Sequence, residues 1–337
     1  MSTVLVTGGA GYVGSHTVLA LAAAGYDVVV YDNLCYGHPE AVERIQKAYP
    51  ARSIRLVRGD ILDGPAVVRA LKDSGATAVL HFAAFLFVSE SVEKPLEYYR
   101  NNVTGALTVL GAMADAGVTR FVFSSTCATF GEPVTPTIDE THPQRPINAY
   151  GQTKLAVEQA LPHIELACGI KWVALRYFNA SGADPDGRIG EDHEPEIHLI
   201  PRAIMAAQGG PGLTVFGTDY PTPDGTCIRD YVHVADLADA HLSALKALEG
   251  GAASAAYNLG NGNGISVREL MDSVTRVTGK AVPHRIGPRR PGDPARLVAS
   301  SAKVRQALGW SPKYADLDTI VGTAWRWHER HRQGYRT

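Results

Sequence analysis

Val4-Leu5-Val6-Thr7-Gly8-Gly9-Ala10-Gly11-Tyr12-Val13-Gly14 decides how this chain folds. An apolar, β-branched run passes directly into glycines at every third position, and a helix is expected from Ser15 to Ala24. A strand that turns through glycines into a helix is the context in which such a fingerprint holds a dinucleotide. Glycine supplies the turn's backbone angles, and its missing side chain lets a pyrophosphate reach the helix N-terminus. The spacing is G-x-x-G-x-x-G rather than G-x-G-x-x-G, so Gly8, Gly11 and Gly14 carry weight through their surroundings. Asp32 ends the second expected strand and supplies the acid for an adenosine ribose diol. Asn33, Leu34 and Cys35 follow, with no Arg or Lys before Arg44, so nothing nearby would neutralise a 2′-phosphate. The expected cofactor is NAD rather than NADP. Asp60, in Gly59-Asp60-Ile61, is placed to meet the adenine edge, and on spacing alone it reads equally well as an N-cap.

Outward from this loop, strand runs lacking alternation at Val4 to Thr7, Asp27 to Tyr31, Ile54 to Arg58, Ala78 to Phe82, Arg120 to Ser124 and Trp172 to Arg176 alternate with helix-length segments. The helices expected are Pro39 to Tyr49, Pro65 to Ser74, Pro95 to Ala116 and Tyr150 to Cys168. That pattern means an α/β fold with a Rossmann-type, doubly wound parallel sheet covered on both faces. After Tyr177 the texture changes. Gly, Pro and Asp crowd Gly182 to Asp192 and Gly209 to Gly225, while Arg229 to Leu248 reads as a strand and helix returning to the main sheet. Helical stretches Val267 to Thr278 and Ser301 to Leu308 suggest a smaller C-terminal α/β substrate lobe. The expected division is a dinucleotide domain of residues 1–177 plus about 230–255, and a second lobe of about 178–229 plus 256–337.

A formal net charge of −2 provides no global field for nucleic acid or anionic membrane. Cys35, Cys127, Cys168 and Cys227 are far apart with no C-x-x-C, against a zinc site or disulfide framework and in keeping with a reducing cytosol. No metal is expected. No basic leader or transmembrane-length run precedes the first strand, which points to the cytoplasm.

Tyr150 and Lys154 lie four residues apart in Asn148-Ala149-Tyr150-Gly151-Gln152-Thr153-Lys154, on one helix face. A phenol titrates near pH 10 and is a poor base at neutrality. A neighbouring ammonium and a positive nicotinamide would favour the phenolate, suiting a carbon that loses a hydroxyl proton as its hydride leaves.

Together these residues resemble the extended short-chain dehydrogenase/reductase family, and within it the 4-epimerases of UDP-hexoses. The similarity runs from the glycine loop to Trp327. It is most specific at Tyr177-Phe178-Asn179, Gly190-Glu191-Asp192, Val215-Phe216-Gly217, Asp224 to Tyr231 and Arg289-Arg290-Pro291-Gly292-Asp293. The resemblance implies a reversible exchange between UDP-glucose and UDP-galactose through a transient 4-keto sugar, with NAD as resident cofactor and a homodimer as the assembly. It implies that Tyr12, Val13, Asp32, Asn33, Leu34, Tyr36 and Gly37 line the adenosine diphosphate half of NAD, and that Asp60 and Ile61 hold adenine. Phe82, Ala83, Ala84, Leu86, Asn101, Ser124, Lys154, Tyr177 and Phe178 would complete the cofactor shell. Tyr150 would be the proton acceptor, Lys154 its partner, and Thr126 the hydroxyl beside the reacting group. Asn179, His198, Leu199, Thr214, Val215, Phe216, Arg229, Arg290 and Asp293 would take the uridine diphosphate, where guanidinium groups suit a diphosphate.

Two departures stand out. Leu86 replaces a lysine that many of these epimerases place against the cofactor, and Leu297 falls where the family varies side-chain size at the sugar pocket, leaving an epimerase of a UDP-N-acetylhexosamine or UDP-pentose as the alternative reading. A dehydratase of this family needs an Asp-Glu pair after the threonine, and the chain reads Thr126-Cys127-Ala128 instead. A net-oxidising relative would need cofactor exchange at each turnover, and a silent NAD sensor would have no use for Tyr150, Lys154 and Thr126 together.

Overall fold

The computed structural model describes residues 2–290 and 293–336; Pro291 and Gly292, within the last of the specific motifs, lie outside the described residues. The strands are β1 (Thr3–Thr7), β2 (Asp27–Asp32), β3 (Ile54–Arg58), β4 (Ala76–His81), β5 (Arg120–Thr126), β6 (Lys171–Tyr177), β7 (Asn179–Ser181), β8 (Leu213–Phe216), β9 (Ile228–Arg229), β10 (Tyr231–His233), β11 (Ala255–Leu259), β12 (Ile265–Ser266), β13 (His284–Gly287) and β14 (Arg296–Leu297). The helices are α1 (Tyr12–Ala23), α2 (Pro39–Ala48), α3 (Gly64–Ser74), α4 (Val88–Glu93), α5 (Pro95–Tyr98), α6 (Gly105–Ala116), α7 (Ala149–Cys168), α8 (Leu199–Ala207), α9 (Val234–Glu249), α10 (Val267–Thr278), α11 (Ala302–Leu308) and α12 (Leu317–Arg330).

Seven parallel strands form the main sheet in the order β11-β6-β5-β4-β1-β2-β3. Winding reverses between β1 and β4, and ligands in such sheets bind beyond the carboxyl ends at that reversal. Alternate residues of one strand serve opposite layers. Val4 and Val6 pack with Val18, Leu21 and Val28, whereas Leu5 packs with Val67, Leu71 and Phe123. Each such aliphatic side chain, removed from water, contributes roughly 1.5–3 kcal/mol. Helices α8, α10 and α12 close a separate core around Ile204, Leu270, Val274 and Ile320, beside the short sheets β8/β13 and β12/β9/β14.

The strand expected within Arg229 to Leu248 does not return to the main sheet. β10 pairs with β7 in a two-stranded sheet, and β11 supplies the seventh main strand after α9 has packed against α1. The helix expected over Pro95 to Ala116 is interrupted by a π turn at Tyr99–Thr104 between α5 and α6. That wide turn brings Asn102 inward, where its amide oxygen accepts from Phe85 N at 2.8 Å and its nitrogen donates to Thr153 Oγ1 at 3.2 Å.

Candidate active site

At the carboxyl end of β1 the loop is tighter than any side chain permits. A Cβ on Gly14 would stand 2.1 Å from the Gly8 carbonyl oxygen, and one on Gly8 (φ +69°) would stand 2.5 Å from Ala83 N. Gly11 caps α1 without a side-chain bond, so the helix opens onto the cleft with its first N–H groups directed outward. The cradle fits a pyrophosphate. Asp32 accepts from Ala10 N at 3.0 Å and Leu34 N at 2.8 Å, and burial nonetheless holds its carboxyl above the ordinary range against those two bonds. The acid thus anchors the turn while facing the cleft. Leu34 takes a left-handed φ of 63°, a conformation costing about 1–2 kcal/mol, and the Asp32 bond helps hold it there.

Opposite this cradle, α7 begins where Asn148 Oδ1 accepts from Gly151 N at 2.8 Å. Gly151 lets the helix abut β5's following turn, since a Cβ there would meet the Ala128 carbonyl oxygen at 2.3 Å. Tyr150 stands in the cleft wall and Lys154 lies behind it, 3% exposed, donating to the Ser124 carbonyl at 2.9 Å and 5.0 Å from the Phe123 ring centroid. Burial lowers the Lys154 amine from its ordinary value to about 7, with Glu158 pulling the other way. Tyr150 is half-buried and faces the cleft. Burial raises its phenol well above 10, Tyr177 adds to the rise, and a hydrogen bond from Thr126 opposes it. The lowering expected for Tyr150 from Lys154 is therefore not set by the protein's own groups. Tyr177, pushed up to about 12 by burial, shares a 2.5 Å hydrogen bond with Ser124 Oγ.

One turn further along the same helix face, Glu158 accepts from Arg176 Nε at 3.0 Å and Nη2 at 2.5 Å, and also from Ser125. Both charges are buried, and removing either would leave the other unpaired, a loss of about 3–5 kcal/mol. The pair locks α7 to β5 and β6 and so fixes where Tyr150 sits.

A cleft of about 920 Å³ joins these parts. Gly8, Gly11, Tyr12, Val13, Gly14, Asp32, Asn33, Tyr36, Gly37 and Ile61 line one end; Phe82, Ala83, Ala84, Leu86, Asn101, Ser124, Thr126, Tyr150, Lys154, Tyr177 and Phe178 line the middle. Asn179, His198, Arg229, Arg290, Asp293 and Leu297 line the other end.

The model of the NAD dependent epimerase/dehydratase family matches residues 4–260. The chain belongs to that family. It is similar to a UDP-glucose 4-epimerase of Rhizobium meliloti, 52% identical over 99% of both chains. Among solved structures, it resembles the UDP-glucose 4-epimerase of Brucella ovis in complex with NAD, with a TM-score of 0.92, 50% identity and coverage of 97% of this chain and 98% of that one. It also resembles the enzyme of Stenotrophomonas maltophila with bound NAD and formylated UDP-arabinopyranose, with a TM-score of 0.95, 40% identity and 99% coverage of both.

In this epimerase/dehydratase-family chain, several residues expected at the site stand outside the cleft wall. Leu34 packs on the core behind Asp32, and Asp60 spends its carboxylate on Leu62 N at 2.8 Å and Asn33 Nδ2 at 3.4 Å. Leu199 lies behind His198, Thr214 accepts from Arg285 Nε at 3.2 Å, and Val215 is buried in the second core. Phe216 supports Arg290, whose guanidinium carbon lies 3.9 Å from its ring centroid. Arg229 forms an ion pair with Asp293 and donates to the Pro294 carbonyl at 2.9 Å. Cleft residues missed from sequence include His193, Ile197 and Arg202. His193 and Ile197 follow directly on a stretch whose crowded Gly, Pro and Asp masked any pattern; Arg202, one turn into α8, shows only as a polar position in an amphipathic helix.

Proposed function

We propose that this chain interconverts UDP-glucose and UDP-galactose by inverting C4 of the hexose, with NAD resident in the cleft. The observation that carries the reading is one cleft with an anion cradle at one end, Arg229 and Arg290 at the other, and Tyr150 with Lys154 between. NAD supplies a hydride acceptor that also serves as donor, together with a positive ring beside the phenol. Gly8, Gly11 and Gly14 with the α1 terminus would hold its pyrophosphate, and Asp32 its adenosine ribose. Tyr150 takes the C4 hydroxyl proton and later returns it. Thr126 orients that hydroxyl, and Lys154 would hold the nicotinamide ribose and, together with the bound ring's positive charge, would favour the phenolate. Arg229 and Arg290 grip the diphosphate, leaving the hexose free to present its other face. Binding energy placed on the nucleotide rather than on the sugar permits that turn.

The roles of the other cleft residues follow from the same division, with residues 1–177 and about 230–255 carrying the dinucleotide and the rest the UDP-sugar. We assign the chain to the cytoplasm; among the described residues no helix is long and apolar enough to cross a membrane. A homodimer is supported by exposed Leu96 and Leu107 on the α5–α6 stretch and by Leu166 on α7, which is 89% exposed.

Incubation with UDP-galactose and no added cofactor tests the reading, with product sugars separated by chromatography. UDP-glucose formed without net NADH is the expected result; a 4-keto-6-deoxy sugar, or binding without turnover, refutes it. Tyr150→Phe should lose several orders of magnitude in kcat while still binding UDP-sugar, and near-normal turnover would remove Tyr150 from the role of base.

A further inference from the structure

Between β7 and α8, four side chains within eight residues turn toward one point: Glu191, His193, Glu196 and His198. Their nearest nitrogen and oxygen atoms all lie within 4.8 Å of one another. The closest pairs are His193 Nδ1 to Glu191 Oε1 at 3.3 Å and to Glu196 Oε2 at 3.6 Å, and His198 Nδ1 to Glu191 Oε1 at 2.6 Å and to Glu196 Oε1 at 3.3 Å. A tetrahedral ion with bonds of about 2.0–2.1 Å sets its ligands about 3.3 Å apart. The His193–Glu191 and His198–Glu196 Oε1 separations stand at that edge, and the other Glu196 oxygen lies 3.6 Å from His193.

The four groups are paired by charge, each histidine with both carboxylates, but without the alignment of an ordinary hydrogen-bonded cluster. Glu191 Oε1, His193 Nδ1, Glu196 Oε2 and His198 Nδ1 are buried and make no hydrogen bond, even across the 2.6 Å pair. The Glu191, His193 and Glu196 side chains are 3%, 6% and 6% exposed, while His198 is 35% exposed and closes the set on the cleft side.

We propose that Glu191, His193, Glu196 and His198 form a binding site for a divalent first-row metal ion, zinc by ligand chemistry. Two imidazole nitrogens and two carboxylate oxygens suit such an ion, and four protein ligands make a closed, structural site rather than one with a place for substrate. On binding, each imidazole nitrogen gives its proton to solvent and its lone pair to the metal. Two carboxylates then balance the ion's charge. The site is built into the cleft wall, which His193 and His198 line while Glu191 lies buried behind them. His193 meets Tyr12 edge-on with ring centroids 6.1 Å apart, and the Glu191 carbonyl accepts from Trp327 Nε1 at 3.0 Å. The metal therefore pins the segment that faces the opening turn of α1 against α12. The cysteines do not take part, and the spacing E-x-H-x-x-E-x-H carries the site instead.

The test treats the full chain with a chelator, removes it, and titrates Co²⁺ while recording the visible spectrum. The expected result is an intense tetrahedral spectrum saturating at about one equivalent and abolished by Zn²⁺. Glu196→Gln and, separately, His193→Gln should each weaken Co²⁺ and Zn²⁺ binding by at least about 100-fold, since loss of a supporting group alone reaches that scale. No saturable tetrahedral spectrum in the native chain overturns the proposal without any variant. Binding of undiminished affinity in both variants means adventitious ions elsewhere and overturns it as well.

Discussion

Replacing Lys154 with methionine should change how the chain's stability depends on pH. Lys154 is buried behind Tyr150, and its amine is lowered from 10.5 to about 7, chiefly by loss of water. In the unfolded chain the same amine titrates near 10.4. Between these values the unfolded state holds a proton that the folded state has released, so stability rises with pH across that window. Below the folded value both states are charged, and the full penalty of burying an ammonium is present. The slope is about 1.4 kcal/mol per pH unit once Lys154 is deprotonated and about half that at pH 7. From pH 7 to 9 the group therefore contributes about 2 kcal/mol of added stability that Lys154→Met lacks. Equilibrium denaturant unfolding of both proteins, freed of dinucleotide, at pH 6, 7, 8 and 9 measures the difference. Methionine should be the more stable at pH 6, with its advantage shrinking as pH rises. A stability difference that stays constant across pH 7 to 9 would refute the lowered amine and its physical cause.

Gly14→Ala should sharply reduce the nicotinamide dinucleotide released from purified protein on denaturation, because its methyl would meet backbone at 2.1 Å. The misfit should also destabilise the fold by about 1–3 kcal/mol, and normal dinucleotide content would show that the loop is not the cradle. Arg290→Ala should raise KM for the UDP-sugar about tenfold to a hundredfold with kcat little changed, the scale of a charge-assisted hydrogen bond. An unchanged KM would take Arg290 out of the diphosphate end. Leu166→Glu, at a side chain 89% exposed, should yield monomers in light scattering after size exclusion. A native chain that is itself monomeric would dispose of the proposed assembly.

Much of the architecture could be read from local pattern. Apolar strand runs alternating with helices announced the parallel sheet, and β3 and the start of α2 fall where the residues alone put them. Tyr150 and Lys154 declared themselves through helical spacing. What escaped the reading depends on distant partners. β10 carries no local mark that it will pair with β7 rather than join the main sheet. The π turn arises because Asn102 finds Phe85 and Thr153 far along the chain, and Pro95 to Ala116 otherwise reads as one helix. The direction of the Tyr150 shift depends on enclosure, which spacing does not encode. Glu191 stood out within Gly190-Glu191-Asp192, but nothing local tied it to His193, Glu196 and His198, which meet it only in the folded loop.

Residues 327–335 back one wall of the cleft from behind. Trp327 is wholly buried against Gly190, where a Cβ would stand 2.3 Å from its ring, and Tyr335 N donates to Asp192 at 2.8 Å. Arg44 of α2 stacks over both rings, each centroid 5.3 Å from its guanidinium carbon. Residues more than a hundred positions apart thus share one buried aromatic anchor, and a smaller side chain at Trp327 would loosen the backing of the cleft wall at 190–193 without touching any proposed catalytic group.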